Sequence, residues 1–269
     1  MQKRRSEFVQ GVDLKLEVYI DGTGPALIVL PSYGRGGGED FDYFASKLAA
    51  AGFMILRPQP RGIAGSKGKM QGLTLRDLAA DIALVVRELG GGKAIVLGHA
   101  FGNGVARMMA VDHPSMVRGI ILAAAQCSSV TPEISKTPHQ ACDLQSPADE
   151  RLAALRKGFF APSHDPSVWL EGWYPDTMRM QVNSARAVPT SAYWSAGSAP
   201  ILEIIPELDP FKPRQYWGEL RNQLGERVTT KMVNNASHAL FPEEPDQVCN
   251  LVVGWCRHLI GNKLTAESR

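Results

Sequence analysis

The sequence has little cysteine, no long apolar run and no excess of charge of either sign, and each absence narrows the classes of protein it can belong to. The four cysteines are far apart or, for Cys249 and Cys256, seven residues apart, without the close pairing of a zinc site or a redox motif. We expect them to be reduced thiols. A chain of 269 residues also lies outside the small, disulfide-stapled class.

No stretch approaches the roughly 18 apolar residues of a membrane span, and the basic N-terminus is followed by no apolar segment of a secretion signal. We therefore expect a cytoplasmic location and no membrane partner. The 29 basic and 27 acidic residues nearly cancel, so no long-range field favours nucleic-acid binding. The expected partner is a small-molecule substrate, and the expected oligomeric state is a monomer or a homodimer.

The sequence does contain a repeated alternation of apolar strands and amphipathic helices. Apolar or alternating runs predict strands at 14–20, 26–31, 53–56, 94–97, 117–125, 200–205 and 228–233. Helical spacing predicts helices at 40–51, 74–89, 101–112, 214–224 and 245–260, with Thr74 and Asp77 as a capping box. This order predicts an α/β fold with a mostly parallel central sheet flanked by helices.

The alternation stops between about residues 126 and 197. This stretch holds polar, proline-containing segments, a helical patch at 147–160 and an aromatic-rich segment at 169–194. We interpret residues 1–125 and 198–269 as one core domain, and 126–197 as a helical cap, or lid, inserted into it. The last nine residues are predicted to be a frayed tail.

The five residues that say most about chemistry are Gly98-His-Ala-Phe-Gly102, between a predicted strand and a predicted helix. They fit the pattern G-x-S-x-G, in which a nucleophilic serine occupies a strained strand-to-helix turn, except that Ala100 replaces the serine. The glycines are needed because bulk at either flank would clash. His99 is expected to support the turn from below.

An acid and a histidine follow this turn in the chain order that a catalytic triad of this kind requires. Asp209 and His238 each follow a predicted strand, and active sites of open α/β sheets form at the carboxyl ends of strands. A carboxylate on one imidazole nitrogen fixes the tautomer and leaves the other nitrogen free to act as a base. Glu207 is the alternative acid, two residues before Asp209.

With these motifs in place, the chain resembles the capped, esterase- or lactonase-like branch of the α/β-hydrolase superfamily, from about Leu14 to Ile260. Residues 30–34 (LPSYG) stand where the family carries a His-Gly oxyanion turn, with Ser32 in place of the histidine. Residues 57–66 (RPQPRGIAGS) resemble its Pro-Asp-x-Arg-Gly-x-Gly-x-Ser loop. The resemblance implies an oxyanion hole formed by the backbone N–H groups of Phe101 and of Ser32 or Tyr33.

The resemblance also implies a Ser-His-Asp-type mechanism on a carboxylic ester, lactone or amide, with no metal or organic cofactor. Haloalkane dehalogenase and epoxide hydrolase activities are disfavoured because those branches carry an aspartate at the turn. A cap that closes over the turn should supply pocket residues, which suggests a largely apolar or aromatic substrate. The candidate substrate-binding residues are Arg35, Trp169, Trp173, Tyr193 and Trp194.

For Arg35 and Arg61, the basic residues nearest the expected mouth, a solvated surface role is favoured over contact with a substrate carboxylate. Two interpretations of Ala100 remain open. In the first, the chain is a serine hydrolase whose nucleophile has been replaced. In the second, the alanine is native, and His238 with Asp209 activates water, abstracts a substrate proton as in a lyase, or lines a pocket that only binds a ligand.

Overall fold

A computed structural model describes residues 5–125 and 127–266, and for 262–266 only the backbone. The strands are β1 (Arg5–Gly11), β2 (Leu14–Asp21), β3 (Ala26–Leu30), β4 (Met54–Pro58), β5 (Lys67–Gly68), β6 (Ala94–His99), β7 (Val117–Ala123), β8 (Ile201–Pro206) and β9 (Val228–Val233). The helices are α1 (Asp42–Ala50), α2 (Leu75–Glu88), α3 (Gly102–Asp112), α4 (Pro132–Ser135), α5 (Thr137–Cys142), α6 (Ala148–Gly158), α7 (Pro175–Arg186), α8 (Glu219–Leu224), α9 (Leu240–Glu243) and α10 (Pro245–Ala266).

The strands form one sheet in the order β1-β2-β4-β3-β6-β7-β8-β9, with β5 paired to β2. From β4 to β9 all neighbours are parallel, and β1 and β2 add an antiparallel edge. The α/β fold with a mostly parallel sheet is therefore confirmed. Because β6 lies in the middle of the sheet, the turn at its carboxyl end is supported on both sides.

Two apolar layers cover the faces of this sheet. The buried residues of α2 and α3 pack against one face, and those of α1 and α10 pack against the other. The strands between them are buried on both faces, as the continuous apolar runs predict. The predicted capping box is also present, because the carboxylate of Asp77 accepts a 2.7 Å hydrogen bond from the N–H of Thr74 at the start of α2.

The sequence gives no signal for β1 and β5. In β1 only Val9 is buried, because this strand forms the outer edge of the sheet and has no apolar alternation to detect. The prediction of a frayed tail is wrong for residues 261–266, since α10 continues to Ala266; residues 267–269 lie outside the described part of the chain.

Helices α4 to α7 lie between β7 and β8, and we call residues 127–199 the insertion. It has its own cluster of buried aromatic and apolar side chains, to which Ala239 of the core also belongs. The insertion is bound to the core by backbone hydrogen bonds. The N–H of Tyr174 donates to the carbonyl of Gly34 over 2.8 Å, and that of Ala239 donates to Phe159 over 2.8 Å. The insertion thus contacts two loops at the carboxyl edge of the sheet.

Candidate active site

Ala100 occupies the strained turn between β6 and α3. Its φ is +49°, a left-handed conformation that a non-glycine residue rarely adopts. A Cβ on Gly98 would lie 2.2 Å from the carbonyl oxygen of Gly102, and one on Gly102 would lie 2.6 Å from that of Leu30. The two glycines are therefore required by close backbone approach, as the motif predicts. The N–H of Ala100 donates to Ala123, which ties the turn to β7.

His238 and Asp209 meet at the carboxyl ends of β9 and β8. The Nδ1 of His238 lies 3.0 Å and 3.2 Å from the two carboxylate oxygens of Asp209, whose side chain has no exposed surface. The N–H of Phe211 donates to Asp209 over 2.9 Å, and the Phe211 ring lies 4.3 Å from the imidazole. Glu207 instead is exposed and accepts from the N–H of Asn235. The geometry thus favours Asp209 over Glu207 as the partner of His238.

His99 lies beneath this pair and contacts it directly. Its Nε2 is 2.7 Å from the carbonyl oxygen of His238, so Nε2 carries the proton and donates. Burial, together with a smaller effect of the neighbouring His238, lowers the pKa of His99 from 6.5 to about 3. We infer that a neutral His99 holds the His238 backbone in place from below, as the sequence suggests.

This depressed pKa has a consequence for stability. The unfolded chain takes up a proton at His99 as the pH falls through 6.5, whereas the folded chain does not until about 3. Neutral His99 therefore makes its full contribution to the free energy of unfolding above pH 6.5, and this contribution is lost as the pH falls towards 3. The control is His99→Gln, in which an amide N–H replaces Nε2–H. Between about pH 7.5 and 4.5, we expect the unsubstituted chain, the parent, to lose about 2–3 kcal/mol more free energy of unfolding than this variant. Urea titrations across this range test it, and parallel pH profiles of the two proteins would contradict it.

The expected oxyanion hole lies between the turn after β3 and the start of α3. In the described part of the chain, the N–H groups of Phe101, Ser32 and Tyr33 donate to no protein acceptor. The rings of Tyr33 and Phe101 stack at 4.5 Å between centroids, which joins the two elements. Burial raises the pKa of Tyr33 to about 12, so this phenol stays neutral. Free N–H groups at these positions support the predicted role.

A cavity of about 590 Å³ opens between the core and the insertion. The predicted residues that line it are Ser32, Tyr33, Ala100, Phe101, Tyr193, Trp194 and His238. Asp209 stands behind His238. These predicted residues therefore surround one cavity, and both Ala100 and His238 lie on its wall.

Three of the candidate substrate-binding residues lie elsewhere. Arg35 is buried, forms an ion pair with Asp40 at 2.7 Å and donates to the carbonyl of Glu171. Its guanidinium stacks on Trp169 at 4.4 Å and on Trp173 at 5.1 Å. Neither these two indoles nor Arg35 line the cavity among the described residues. Their placement corrects the prediction that they bind substrate, because they join the loop after β3 to the insertion.

Arg61 is also buried, so the solvated role expected for both arginines is wrong. Its side chain donates to both oxygens of Asp81, over 2.7 and 2.8 Å. The expectation failed because the sequence shows a charged residue near the mouth but not its distant partner. Asn103 and Arg107 are among the cavity residues that the sequence analysis missed. Their spacing of three and seven residues from Ala100 places them on one face of α3, which could have revealed them.

Within residues 5–125 and 127–266, no cluster of three or more His, Cys, Asp or Glu side chains could hold a metal ion. Over the same residues, no helix combines the length and apolar character needed to cross a membrane. The four cysteines are free and buried. The cytoplasmic location and the oligomeric state stay predictions.

A parallel sheet with a strained turn after its central strand, and an Asp-His pair at neighbouring strand ends, is the arrangement of an α/β hydrolase. The chain belongs to the alpha/beta hydrolase fold family, whose sequence model matches residues 25–168.

Two curated relatives match short regions only. The chain is 33% identical over 101 residues to the dihydrolipoyllysine-residue acetyltransferase component of the acetoin cleaving system of Cupriavidus necator, which is 38% of this chain and 27% of that protein. It is 33% identical over 70 residues to a soluble epoxide hydrolase of Corynebacterium sp., 26% of this chain and 24% of that protein. The chain thus matches about a quarter of the length of each relative.

Solved structures match nearly the whole fold. An esterase from Exiguobacterium antarcticum has a TM-score of 0.77 and 18% identity, with 93% of this chain and 99% of that chain covered. A thermophilic esterase from Thermogutta terrifontis has a TM-score of 0.76 and 17% identity, with 96% and 99% covered. At such identities the likeness shows the fold alone.

Proposed function

We propose that this site is built for acyl transfer from a small carboxylic ester, lactone or amide, with position 100 as the nucleophile position. The observation that carries the proposal is the strained φ of +49° at Ala100, on the wall of the cavity that His238 shares. A binding protein has no need to hold a small residue in this conformation beside an oriented imidazole. The site lacks only a hydroxyl oxygen.

With serine at position 100, the chemistry follows from the residues in place. The Nε2 of His238 takes the hydroxyl proton while the oxygen attacks the carbonyl, and Asp209 stabilises the imidazolium that forms. The N–H groups of Phe101 and of Ser32 or Tyr33 bind the developing oxyanion. His238 then returns its proton to the leaving group and later activates water to release the acid. Esters are the favoured substrates because an alkoxide or phenoxide leaves more readily than an amine.

We propose that the insertion acts as the cap over this site, the role predicted for residues 126–197 between core segments 1–125 and 198–269. Tyr193 and Trp194 of the insertion line the same cavity as Ala100 of the strained turn, which supports this role. The apolar and aromatic side chains on part of the cavity wall favour a substrate with an apolar or aromatic portion.

A second candidate function is favoured by Ala100 itself. The pair of His238 and Asp209 is complete without a serine, so His238 could activate a water molecule or abstract a substrate proton directly. The likeness to an epoxide hydrolase does not extend to the reaction, because Ala100 supplies no carboxylate for attack on an epoxide. Any turnover by the parent chain that is lost in His238→Ala would favour this second function.

A fluorophosphonate probe tests the nucleophile position. Such probes phosphonylate a serine only when a base and an oxyanion hole activate it. We expect Ala100→Ser to gain one phosphonyl group per chain, with fluoride lost, while the parent gains none; intact-protein mass spectrometry measures both. A peptide map should place the adduct on residue 100. An unlabelled Ala100→Ser protein that is folded would argue against acyl transfer.

A further inference from the structure

The cavity extends beyond the triad along one face of α3. Ala100, Asn103, Gly104 and Arg107 all line it, and this spacing of three and four residues marks a single helix face. Arg107 lies five residues after Gly102, the first residue of α3, which corresponds to about 7 Å of helical rise. Arg107 therefore stands at the cavity wall well away from the reacting position, where a remote part of a substrate would lie.

Arg107 is a buried cation without a paired carboxylate. Only 3% of it is exposed, and in the described residues it forms no ion pair within 4.0 Å. Among the described residues, its one hydrogen bond runs from Nη1 to the carbonyl oxygen of Trp194, and its guanidinium lies 4.4 Å from the Trp194 ring. Since a guanidinium has five N–H donors, most of them remain available to a ligand.

The acidic residues nearby are already engaged or distant. Glu203 is fully buried and pairs with the ammonium of Lys212 at 2.5 Å, and Glu219 accepts from the N–H of Ser128. Burial lowers the pKa of Arg107 to about 10, although Glu203 and Tyr193 act to raise it. Arg107 thus keeps its charge at neutral pH, in surroundings that do not compensate it fully.

The charged side chain that the described cavity wall holds besides Arg107 is also basic. None of the described lining residues is an aspartate or glutamate, and the lining includes a second arginine, the exposed Arg186. A buried arginine without a compensating charge costs free energy when the cavity holds no ligand, and a bound anion offsets that cost. A carboxylate matches the planar guanidinium through two parallel hydrogen bonds.

We propose that Arg107 binds a carboxylate of the substrate, so that the preferred ester carries a free acid group at the end remote from the scissile bond. This rests on the proposed function for the position of the reacting carbonyl, though carboxylate binding itself does not depend on turnover. The competing role for Arg107 is structural, in which it only ties Trp194 of the insertion to α3. Only the binding role predicts that kcat/KM depends on a free acid group in the substrate.

Matched esters distinguish these roles. The Ala100→Ser protein is assayed with 4-nitrophenyl half-esters of the straight-chain diacids from glutaric to suberic acid, each beside the neutral ester in which a carboxamide replaces the free acid. We expect kcat/KM for the acid of the best chain length to exceed that of its neutral partner about 10- to 100-fold. Arg107→Gln should remove this preference, and Arg107→Lys should restore part of it.

Arg179→Gln is the matched control for net charge, since Arg179 is exposed on the insertion and pairs only with Asp176. It should keep the preference for the acid. Equal rates for acid and neutral esters, or an equal loss of both in Arg107→Gln, would overturn the proposal in favour of the structural role. Should Arg107→Gln not fold, the acid-to-neutral ratio of the intact Ala100→Ser protein still decides.

Calorimetry on the parent chain separates this proposal from the proposed function. The monoamides of the same diacids, which keep one free carboxylate, and the matching neutral diamides are titrated into the Ala100 protein, where no reaction is needed. Binding of a monoamide about 10-fold or more tighter than its diamide supports the carboxylate site, even if no ester is hydrolysed by Ala100→Ser. Absence of binding by every monoamide, or equal binding of the two series, would overturn it.

Discussion

The Ala100→Ser variant is expected to hydrolyse small esters on the order of 10⁶ times faster than the parent chain, the usual effect of a triad nucleophile. The added oxygen enters the cavity that His238 lines, from a backbone already held at φ +49°. Serine adopts this conformation as alanine does, so no rearrangement is needed. Aryl and alkyl esters and lactones are assayed under identical conditions, and a pre-steady-state burst separates acylation from turnover.

Ala125→Ser is the matched control for this gain. Ala125 is buried and lines the same cavity, but it follows β7 and lies outside the strained turn. A hydroxyl there should leave the ester activity at the level of the parent. If Ala100→Ser were as inactive as Ala125→Ser on the whole panel, serine acyl transfer would be excluded as the chemistry of this site, and water activation or proton abstraction by His238 would replace it.

In the Ala100→Ser protein, Asp209→Asn is expected to lower kcat by about 10⁴. Asp209 accepts from Nδ1 of His238 at 3.0 Å and is itself oriented by the N–H of Phe211. An amide at this position can present a donor to Nδ1, which would move the imidazole proton to Nε2 and remove the base that faces the nucleophile. The loss should appear in kcat more than in KM, because Asp209 lies behind His238.

Glu207→Gln is the control, because Glu207 is exposed and bonds only the N–H of Asn235 in the described structure. We expect a change of less than about twofold, as is usual for a surface substitution away from the reacting groups. A large loss in Glu207→Gln with little change in Asp209→Asn would identify Glu207 as the acid and overturn the assignment.

The fold and the strained turn could be predicted because their causes are local. Continuous apolar runs mark strands that are buried on both faces, and Gly98 and Gly102 mark a turn where a Cβ would lie 2.2 to 2.6 Å from a backbone oxygen. The edge strand β1 could not be predicted on this basis, since its single buried side chain, Val9, leaves no periodic pattern.

The fate of each arginine could not be predicted, because it depends on contacts between distant parts of the chain. Arg35 bonds Glu171 and stacks on Trp169, more than 130 residues away in sequence, and so becomes a structural link. Arg107 meets Trp194 on the insertion and is left facing the cavity. Both are basic residues with no local signal that separates one role from the other.

The sequence by itself therefore determined the class of fold, the strained turn at Ala100 and the order of Asp209 and His238, since each depends on residue type and near neighbours. Tertiary structure alone decided which acid meets the imidazole, which aromatic residues line the cavity, and that Arg107 faces this cavity without a carboxylate partner among the described residues. The physical reason is that burial and charge pairing are set by what the insertion places against the core. The spacing of residues along the chain does not show which residues the insertion and the core bring into contact.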